Sequence, residues 1–268
     1  MPHLIYEKRD GIAYLTMNRP ERRNAISPQM LVQLAEAWTD FRDDADARVA
    51  ILTGAGDKAF SAGADLALLI PLMSRARAPE DDWDKRVVED RSVGQIGLLR
   101  GFQLYKPVIS AINGFALAGG TELVGATDIR LAVPEARLGL TEVQRGLIPA
   151  GGSLVRLPRQ LPFCKAMEIF LVGDFMPAEE AHRIGLVNEI VPADRLLARA
   201  EEIAGKIAAN GPLAVAKCKE AVLRSSGLTL DAGFEVENEC ARDVFRSQDA
   251  IEGPRAFMEK RKPRFTGR

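Results

Sequence analysis

The sequence predicts an α/β protein, because apolar strand-like segments alternate with amphipathic helix-like segments over residues 1–193. Short apolar runs such as VAILT from Val49 and VISAI from Val108 have the length and composition of buried strands. From Asp194 onward the pattern is helical only. We therefore expect a core domain over residues 1–193, followed by a helical region over residues 194–268.

Turn and helix signals delimit the first elements. The segments LIYEK and GIAYLTM flank Asp10 and Gly11, a pair typical of a tight β-hairpin. Pro28 then begins an amphipathic helix that we expect to reach about Phe41. The apolar side of this helix consists of Met30, Leu31, Leu34, Ala35 and Trp38.

The segment GAGDKA, residues 54–59, matches the G-x-G-x-x-A pattern of dinucleotide-binding turns and follows a predicted strand. A turn of that kind should begin an amphipathic helix, whereas FSAGAD follows here and Gly63 interrupts any helical pattern. We therefore interpret the segment as a turn from a strand into a loop. The strand-like pieces IRLAV and ARLGL continue the alternation further along the chain.

Composition excludes several classes of protein. With 36 basic and 37 acidic residues, the net charge of −1 provides no general attraction to nucleic acid or anionic membranes. The cysteines form no CxxC pair and histidines are scarce, so we expect no disulfide framework, metal site or histidine-based triad. These residues are Cys164, Cys218, Cys240, His3 and His182. The absence of a signal-peptide pattern and of a run of about 18 apolar residues favours a soluble, cytoplasmic protein that does not bind membranes.

Residues 113–142 carry the strongest functional signal. A predicted strand ends at Asn113, the small residues of FALAGG follow, and a helix is expected to begin near Gly120. The first N–H groups of a helix have no partner within it and lie at the positive end of its dipole. An oxygen that acquires negative charge beside Gly119 would therefore be stabilised, and glycine permits its close approach.

Two glutamates accompany this turn. Glu122 falls in the first turn of the predicted helix, where the dipole favours an ionised carboxylate, so we expect it to act as a base. Glu142 follows the short strand-like piece ARLGL. Each glutamate alone is typical of a solvated carboxylate. Their joint position with the glycine turn favours a site that handles an enolate.

Five ordered blocks of this sequence resemble the enoyl-CoA hydratase/isomerase, or crotonase, superfamily. They are MNRPERRNAIS, VAILTGAGDKAFSAGADL, KPVISAINGFALAGGTELVGATD, LGLTEVQRGLIPAGG and DAIEGPRAFMEKRKP. The resemblance covers nearly the whole chain. It implies a spiral of stacked ββα units with the CoA site and active site over residues 1–193, and a C-terminal helical region over residues 194–268 that forms trimers.

The resemblance also implies residue roles. In that family the thioester oxygen lies between two backbone N–H groups, which match Ala64 and Gly119 here. Glu122 matches the residue that takes a proton from water attacking the β-carbon, and Glu142 the residue that delivers a proton to the α-carbon. Members that only shift double bonds commonly lack the first glutamate. The presence of both favours hydration of a trans-2-enoyl-CoA to a 3-hydroxyacyl-CoA.

The same resemblance predicts how CoA is held. The guanidinium groups of Arg22 and Arg23 suit phosphate groups, although solvated surface arginines are an open alternative. CoA is part of the substrate, and we expect no separate cofactor. The residues expected to contact CoA are Arg22, Arg23, Ala25, Ala62, Asp65 and Leu66, together with Phe257 and Lys260 of a neighbouring subunit.

Three departures from the family pattern bear on the substrate. Ala67 stands where many relatives have a basic residue, so one phosphate contact is expected to be missing. The loop at 149–152 is one residue shorter than the PGAGG loop of typical short-chain hydratases. Residues 67–105 are longer than in compact members, which build the acyl pocket from this stretch. Candidate lining residues are Leu68, Leu69, Ile70, Leu72, Met73 and Trp83, although such residues at helical spacing are more often ordinary core.

Other functions stay open on the sequence alone. The closing block also resembles carnitinyl-CoA dehydratases, and a double-bond isomerase would use mainly Glu142. A protein that binds acyl-CoA or RNA without catalysis is the alternative of a different class, and the neutral charge and the two glutamates count against it. The expected assembly is a homotrimer or a dimer of trimers.

Overall fold

The computed structural model describes residues 1–268 and contains two β-sheets. The strands are β1 (Leu4–Arg9), β2 (Ile12–Met17), β3 (Val49–Gly54), β4 (Ala59–Ser61), β5 (Val108–Ile112), β6 (Phe115–Leu117), β7 (Ile129–Ala132), β8 (Arg137–Gly139), β9 (Met176–Pro177) and β10 (Glu189–Ile190). The larger sheet has the order β1-β2-β3-β5-β7-β10, and the smaller sheet has the order β4-β6-β8-β9.

Twelve α-helices surround the sheets. They are α1 (Pro28–Asp43), α2 (Leu69–Met73), α3 (Asp82–Glu89), α4 (Arg91–Gly97), α5 (Gly119–Ala126), α6 (Ser153–Gln160), α7 (Phe163–Val172), α8 (Ala178–Arg183), α9 (Leu196–Ala208), α10 (Pro212–Ser225), α11 (Leu230–Phe245) and α12 (Asp249–Met258). Short 3₁₀ turns cover Pro20–Arg22, Glu142–Arg145 and Ala193–Arg195. No helix is long and apolar enough to cross a membrane.

The predicted hairpin and first helix are confirmed. β1 and β2 pair antiparallel, and Asp10 and Gly11 between them have φ angles of 51° and 75°. Positive φ at both central residues is what a type I′ hairpin turn requires. The Ser27 side chain accepts a hydrogen bond from the Met30 N–H at the start of α1. The helix continues past the predicted end at Phe41.

The chain passes from the larger sheet to the smaller sheet three times. In each of the pairs β3–β4, β5–β6 and β7–β8, the first strand lies in the larger sheet and the second in the smaller one. Helix α5 follows β6 after a single residue, Ala118. The interpretation of residues 54–59 as a turn is also confirmed, because β4 and not a helix follows β3. This is the repeated ββα arrangement that the resemblance implies.

The C-terminal helices differ in how they pack. α9 packs against β2, β3, β5 and β7, so the first helix after residue 193 covers the larger sheet. α10 and α11 pack chiefly against each other, and α12 packs against α11. α10 has no buried residue at all. The predicted helical region therefore contains one helix that packs on the larger sheet and three that pack mainly on one another.

Candidate active site

Strands β4 and β6 bring Ala64 and Gly119 together. The two strands are parallel neighbours, so the loops that follow them lie side by side. The amide nitrogen of Ala64 lies 3.6 Å from the point where a Cβ would stand on Gly119. A Cβ on Gly63, which has a φ of 87°, would lie only 2.9 Å from the Gly119 nitrogen. The site thus depends on Gly63 having no side chain.

Both predicted oxyanion donors are free to bind a ligand. The N–H groups of Ile26 and Asp65 donate to Gly63 and Ile26 carbonyls, whereas the Ala64 N–H makes no hydrogen bond within the chain. Gly119 is the first residue of α5, so its N–H has no acceptor inside that helix. Two adjacent backbone donors with no internal partner can stabilise an oxygen that gains negative charge.

Ala118 sets the direction of the Gly119 peptide. Its φ and ψ angles are 50° and −122°, a backbone conformation that residues other than glycine rarely adopt. Its N–H donates to the Gly139 carbonyl, and its carbonyl accepts from the Glu122 N–H. These two bonds hold a strained residue between the oxyanion donors and the first glutamate.

A buried ion pair supports the loop that carries Ala64. The Asp65 carboxylate accepts hydrogen bonds from the Arg19 guanidinium at 2.8 Å and from the N–H groups of Ala67 and Leu68. Burial raises the pKa of Asp65, but the Arg19 bond and the two amides outweigh it and hold that pKa below its ordinary value. The side chain predicted to contact CoA is thus occupied within the chain. Asp65 and Arg19, which was not predicted, therefore stabilise the loop, and the CoA contact at Asp65 stays a prediction.

Glu122 lies in the first turn of α5 and is only 4% exposed. Its Oε1 accepts a hydrogen bond from the Ser153 N–H at 3.2 Å, and its Oε2 lies 2.5 Å from the position of a Cβ on Gly151. Burial raises the pKa of Glu122. Hydrogen bonds from Ser153 and Gly151 and the charge of Arg156 lower this pKa, but by less than burial raises it. Desolvation thus opposes the ionisation that the helix start favours, and the role of Glu122 as a base stays a prediction.

Glu142 begins the 3₁₀ turn after β8 and is partly buried. Its Oε2 is buried and has no hydrogen-bond partner. Burial, with a further contribution from the charge of Glu122, raises the pKa of Glu142 to about 7. The charge of Glu122 acts on Glu142, so the two carboxylates lie close enough to interact. Glu142 is therefore the carboxylate better suited to hold a proton at neutral pH.

The loop that precedes α6 completes the surroundings of Glu122. Arg156, in the first turns of α6, donates to the carbonyl of Gly151 at 3.2 Å and to that of Leu99. A Cβ on Gly151 would also lie 2.9 Å from Leu98, which brings the end of the 67–105 segment next to Glu122. Sequence reasoning missed Ser153, Arg156 and Leu98. The small residues of PAGGS were the available signal, since they permit close approach to a carboxylate.

The predicted CoA contacts lie in two regions, namely the loops before α1 and around Ala64, and the end of α12. Arg22 and Arg23 are exposed before α1, with the Arg23 guanidinium 5.9 Å from the centre of the Phe115 ring. Leu66, 57% exposed, follows the Ala64 loop. Phe257 and Lys260 are exposed at the end of α12. Ala25 and Ala62, both partly buried, lie in the same two loops as Arg23 and Ala64.

The candidate acyl-pocket residues do not share one environment. Leu69 and Leu72 are buried, and Leu69 belongs to the main hydrophobic core, as the alternative interpretation held. Ile70 and Trp83 are partly buried, whereas Leu68 and Met73 are exposed. α3 and α4 pack against α1, so this segment is folded onto the core. No cluster of three or more His, Cys, Asp or Glu side chains is arranged to hold a metal ion.

Comparison with known proteins identifies the family. A family model described as enoyl-CoA hydratase/isomerase matches residues 7–268. The chain belongs to this family. It is 40% identical over 270 residues to enoyl-CoA hydratase EchA19 of Mycobacterium tuberculosis, an alignment that covers 100% of this chain and 97% of that protein. It is also 38% identical to carnitinyl-CoA dehydratase of Proteus mirabilis, with 97% of each chain covered.

Solved structures agree with the assignment. Enoyl-CoA hydratase EchA1 of Mycobacterium marinum aligns with a TM-score of 0.88 at 40% identity over 100% of both chains. An enoyl-CoA hydratase of Bacillus anthracis aligns with a TM-score of 0.88 at 38% identity, over 99% of this chain and 100% of that one. The crotonase-like α/β fold predicted from the sequence is confirmed.

Proposed function

We propose that this protein catalyses the reversible addition of water to a trans-2-enoyl-CoA, which gives a 3-hydroxyacyl-CoA. The observation that carries this proposal is the placement of two carboxylates with different surroundings beside two free backbone N–H groups. Hydration requires both a base and an acid, together with stabilisation of the enolate formed between the two proton transfers. The family membership supports the same reaction.

The thioester oxygen accepts hydrogen bonds from the N–H groups of Ala64 and Gly119. These donors polarise the conjugated double bond and stabilise the negative charge that develops on the oxygen as water attacks. Loss of one such donor typically costs about a hundred- to a thousandfold in rate. Because the donors belong to the backbone and are held by Gly63 and Ala118, they need no rearrangement during the reaction.

The two glutamates perform the proton transfers. Ionised Glu122 takes a proton from water as the water oxygen bonds to the β-carbon, and protonated Glu142 gives its proton to the α-carbon. A C–O bond and a C–H bond form, the double bond between the two carbons is lost, and no electrons leave the substrate. Water is the only co-reactant, so the reaction as proposed needs no cofactor. Each positioned acid or base contributes about a hundred- to ten-thousandfold.

The remaining contacts are proposed from the placement of the predicted residues. Arg22 and Arg23 hold the phosphate end of CoA, and Ala25, Ala62 and Leu66 line the path of the pantetheine through their loops. Phe257 and Lys260 serve the site of a neighbouring subunit, because they are exposed at and just after the end of α12 and are not buried against their own core.

We also propose a homotrimer, or a dimer of trimers, built through the region 194–268, whereas residues 1–193 supply the catalytic groups. Exposed apolar side chains on α10–α12 support this assembly, since monomers rarely expose large contiguous apolar patches. They are Val222, Leu223, Leu230, Phe234, Phe245, Ile251, Phe257 and Met258. A cytoplasmic location is proposed with it, on the sequence features given above.

A second candidate is dehydration of a carnitinyl-type substrate, favoured by the 38% identity to carnitinyl-CoA dehydratase. The same two glutamates would run the same steps in reverse on an acyl group that carries a cationic substituent. Double-bond isomerisation through Glu142 alone would give the buried Glu122 no catalytic role. The test is the loss of enoyl-thioester absorbance when purified protein meets crotonyl-CoA, longer trans-2-enoyl-CoAs and crotonobetainyl-CoA.

The matched control for that test is the double variant Glu122→Gln, Glu142→Gln. Rapid loss of absorbance with the natural sequence alone supports the proposal, and the preferred substrate decides between the two candidates. If no enoyl-CoA loses its absorbance with the natural sequence, the hydratase proposal is wrong.

A further inference from the structure

The guanidinium of Arg156, in α6, bridges two loops near Glu122. It donates hydrogen bonds to the carbonyl of Gly151 at 3.2 Å and to the carbonyl of Leu99. Gly151 lies in the loop before α6, and Leu99 lies in the loop after α4. One side chain therefore joins these two loops to each other.

Gly151 packs directly against the Glu122 carboxylate. A Cβ on Gly151 would lie 2.5 Å from Glu122 Oε2 and 2.9 Å from Leu98 Cδ1. The Gly151 backbone is thus enclosed between the carboxylate on one side and the loop after α4 on the other. The position of Glu122 therefore depends on both of the loops that Arg156 joins.

The backbone beside the guanidinium has the conformation that this bridge requires. Gly152 has a φ of 121°, and a Cβ on it would lie 2.5 Å from Arg156 Nη1, so glycine leaves room for the side chain. Leu99 is 7% exposed and has a φ of 53°, which residues other than glycine rarely adopt. The bond from Arg156 to its carbonyl helps to hold this strained residue in place.

No ion pair neutralises the charge of Arg156. The buried Arg19 guanidinium bonds to the Asp65 carboxylate, whereas the Arg156 guanidinium bonds only to carbonyls. Burial raises the pKa of Glu122 and lowers that of Arg156, and the charge of each group opposes the effect of burial on the other. The two groups therefore interact without forming a direct salt bridge.

The other charged groups around this pair are few. α5 packs chiefly against α6, β4 and β6, and the two strands carry no charged residue. Glu122 is the only charged residue on α5, and its charge also acts on Glu142. The remaining charged side chains on α6, on α7 or just after α4 are Arg159, Lys165, Glu168 and Arg100. Lys165 and Glu168 pair with each other at 2.8 Å, and Arg100 acts on Arg156.

We propose that Arg156 is a positioning residue for Glu122. Its guanidinium fixes the two loops that determine where the carboxylate lies, and its positive charge favours the ionised base. A guanidinium stays charged at any pH at which the protein works, so this charge is constant. Arg156 takes no part in proton transfer. The inference rests on the hydratase function proposed above, in which Glu122 is the base.

Two variants separate the bridge from the charge. Arg156→Met removes both, whereas Arg156→Lys keeps the charge but lacks the planar fork that bonds to two carbonyls. In Arg156→Met we expect kcat for hydration of crotonyl-CoA to fall roughly tenfold to a hundredfold with KM little changed, because the base is misplaced. The acidic limb of kcat/KM should move to higher pH, because Glu122 loses a charge that favours its ionised form. In Arg156→Lys kcat should fall by less, and the acidic limb should stay where it is in the natural sequence.

Arg48→Met is the matched control for the loss of two hydrogen bonds. The Arg48 guanidinium also donates to two carbonyls, those of Ala208 at the end of α9 and Phe265 in the C-terminal tail. Its thermal midpoint should fall while its acidic limb stays in place. A second readout is exchange of the α-protons of butyryl-CoA with deuterium oxide. Exchange requires Glu142 and the backbone donors but not Glu122, so in Arg156→Met it should stay within about twofold.

Three results would overturn the proposal. One is a kcat and an acidic limb in Arg156→Met that match those of Arg48→Met. Another is an acidic limb that moves equally in Arg156→Lys and Arg156→Met, since the charge would then not be responsible. The third is an equal loss of hydration and exchange in Arg156→Met together with a lower thermal midpoint, which is the pattern of a structural residue.

The outcome stays decisive in two further cases. If Arg156→Met does not fold, Arg156→Lys decides: a lower kcat with the acidic limb in place supports the proposal, and an unchanged kcat overturns it. If the natural sequence exchanges α-protons but hydrates no enoyl-CoA, the hydratase function fails first, and the role of Arg156 beside a base fails with it.

Discussion

Glu122 and Glu142 are chemically identical side chains in one site, but their surroundings differ. Glu122 is more deeply buried, yet it receives a backbone hydrogen bond from Ser153 and lies near the Arg156 guanidinium. Glu142 is less buried, but its Oε2 has no partner, and burial together with the charge of Glu122 raises its pKa despite its own backbone N–H and the charge of Arg145. The extent of burial alone therefore does not determine which carboxylate holds the proton.

The difference assigns the roles. Donors and a cation around Glu122 oppose the effect of its burial, so it is the carboxylate that can ionise and act as base. At Glu142 its own backbone N–H and the charge of Arg145 also oppose burial, but the pKa still rises to about 7, which suits an acid at neutral pH. Pairs of carboxylates whose environments separate their pKa values commonly divide acid and base duties in this way.

Removal of either carboxyl group should have the largest effect. Glu122→Gln and Glu142→Gln each keep the shape of the side chain and abolish its proton transfer, so we expect hydration to fall about a hundred- to ten-thousandfold in each. The initial rate with crotonyl-CoA measures this loss, and circular dichroism checks that the fold is retained. A variant that hydrates at the natural rate would show that its carboxylate has no part in the chemistry.

A smaller effect should follow from displacing Glu122 without removing it. A Cβ in Gly151→Ala would stand 2.5 Å from Glu122 Oε2 and 2.9 Å from Leu98, so the carboxylate must move. We expect kcat to fall roughly tenfold to a hundredfold, because misplacement of a catalytic group by about 1 Å costs this much. Gly205→Ala in α9 is the control, since its Cβ meets nothing within 4 Å. Equal kinetics in the two variants would contradict the packing described for Glu122.

The pH dependence of kcat/KM should reveal the proton held by Glu142. As pH rises through about 7, Glu142 loses that proton and hydration declines. Dehydration should decline over the same range, because it needs the same single proton shared by the pair. Glu122→Gln removes the negative charge that helps to raise the pKa of Glu142. The basic limb of its residual activity should therefore move to lower pH, and a limb that stays in place would show that the carboxylates are not coupled.

The smallest change is expected from Ala118→Gly. Glycine relieves the strain at a φ of 50° and a ψ of −122°, which costs about 1–3 kcal/mol, but it loses more chain entropy on folding. We expect a net gain of about 1 kcal/mol in the free energy of unfolding, measured in urea, with kcat changed less than about threefold. A lower stability would mean that the backbone at Ala118 is not strained.

The sequence predicted the features that depend on local pattern. The Asp10–Gly11 turn, the start of α1 at Pro28 and the strands β3 and β5 follow from turn residues and apolar periodicity. The meeting of Ala64 with Gly119 was foreseen only through family resemblance, since it depends on the pairing of β4 with β6. Long-range pairing leaves no local signal in a single sequence.

The sequence alone does not reveal how deeply a side chain is buried or which distant residue it contacts. The helix start before Glu122 was visible in the sequence, whereas the burial that raises the pKa of Glu122 was not. The ion pair of Asp65 with Arg19 joins residues far apart along the chain, so no local pattern predicted it. Leu69 was named as a pocket residue and lies in the core, because helical spacing is the same for both.

The most direct test of the division between the two glutamates is exchange of the α-protons of butyryl-CoA with deuterium oxide, followed by mass spectrometry. Butyryl-CoA has no double bond to hydrate, so only the α-carbon step and the backbone donors are sampled. We expect Glu122→Gln to retain exchange while losing hydration, and Glu142→Gln to lose both. Retained exchange in Glu142→Gln, with exchange lost in Glu122→Gln, would contradict this assignment and reverse the roles of the two glutamates.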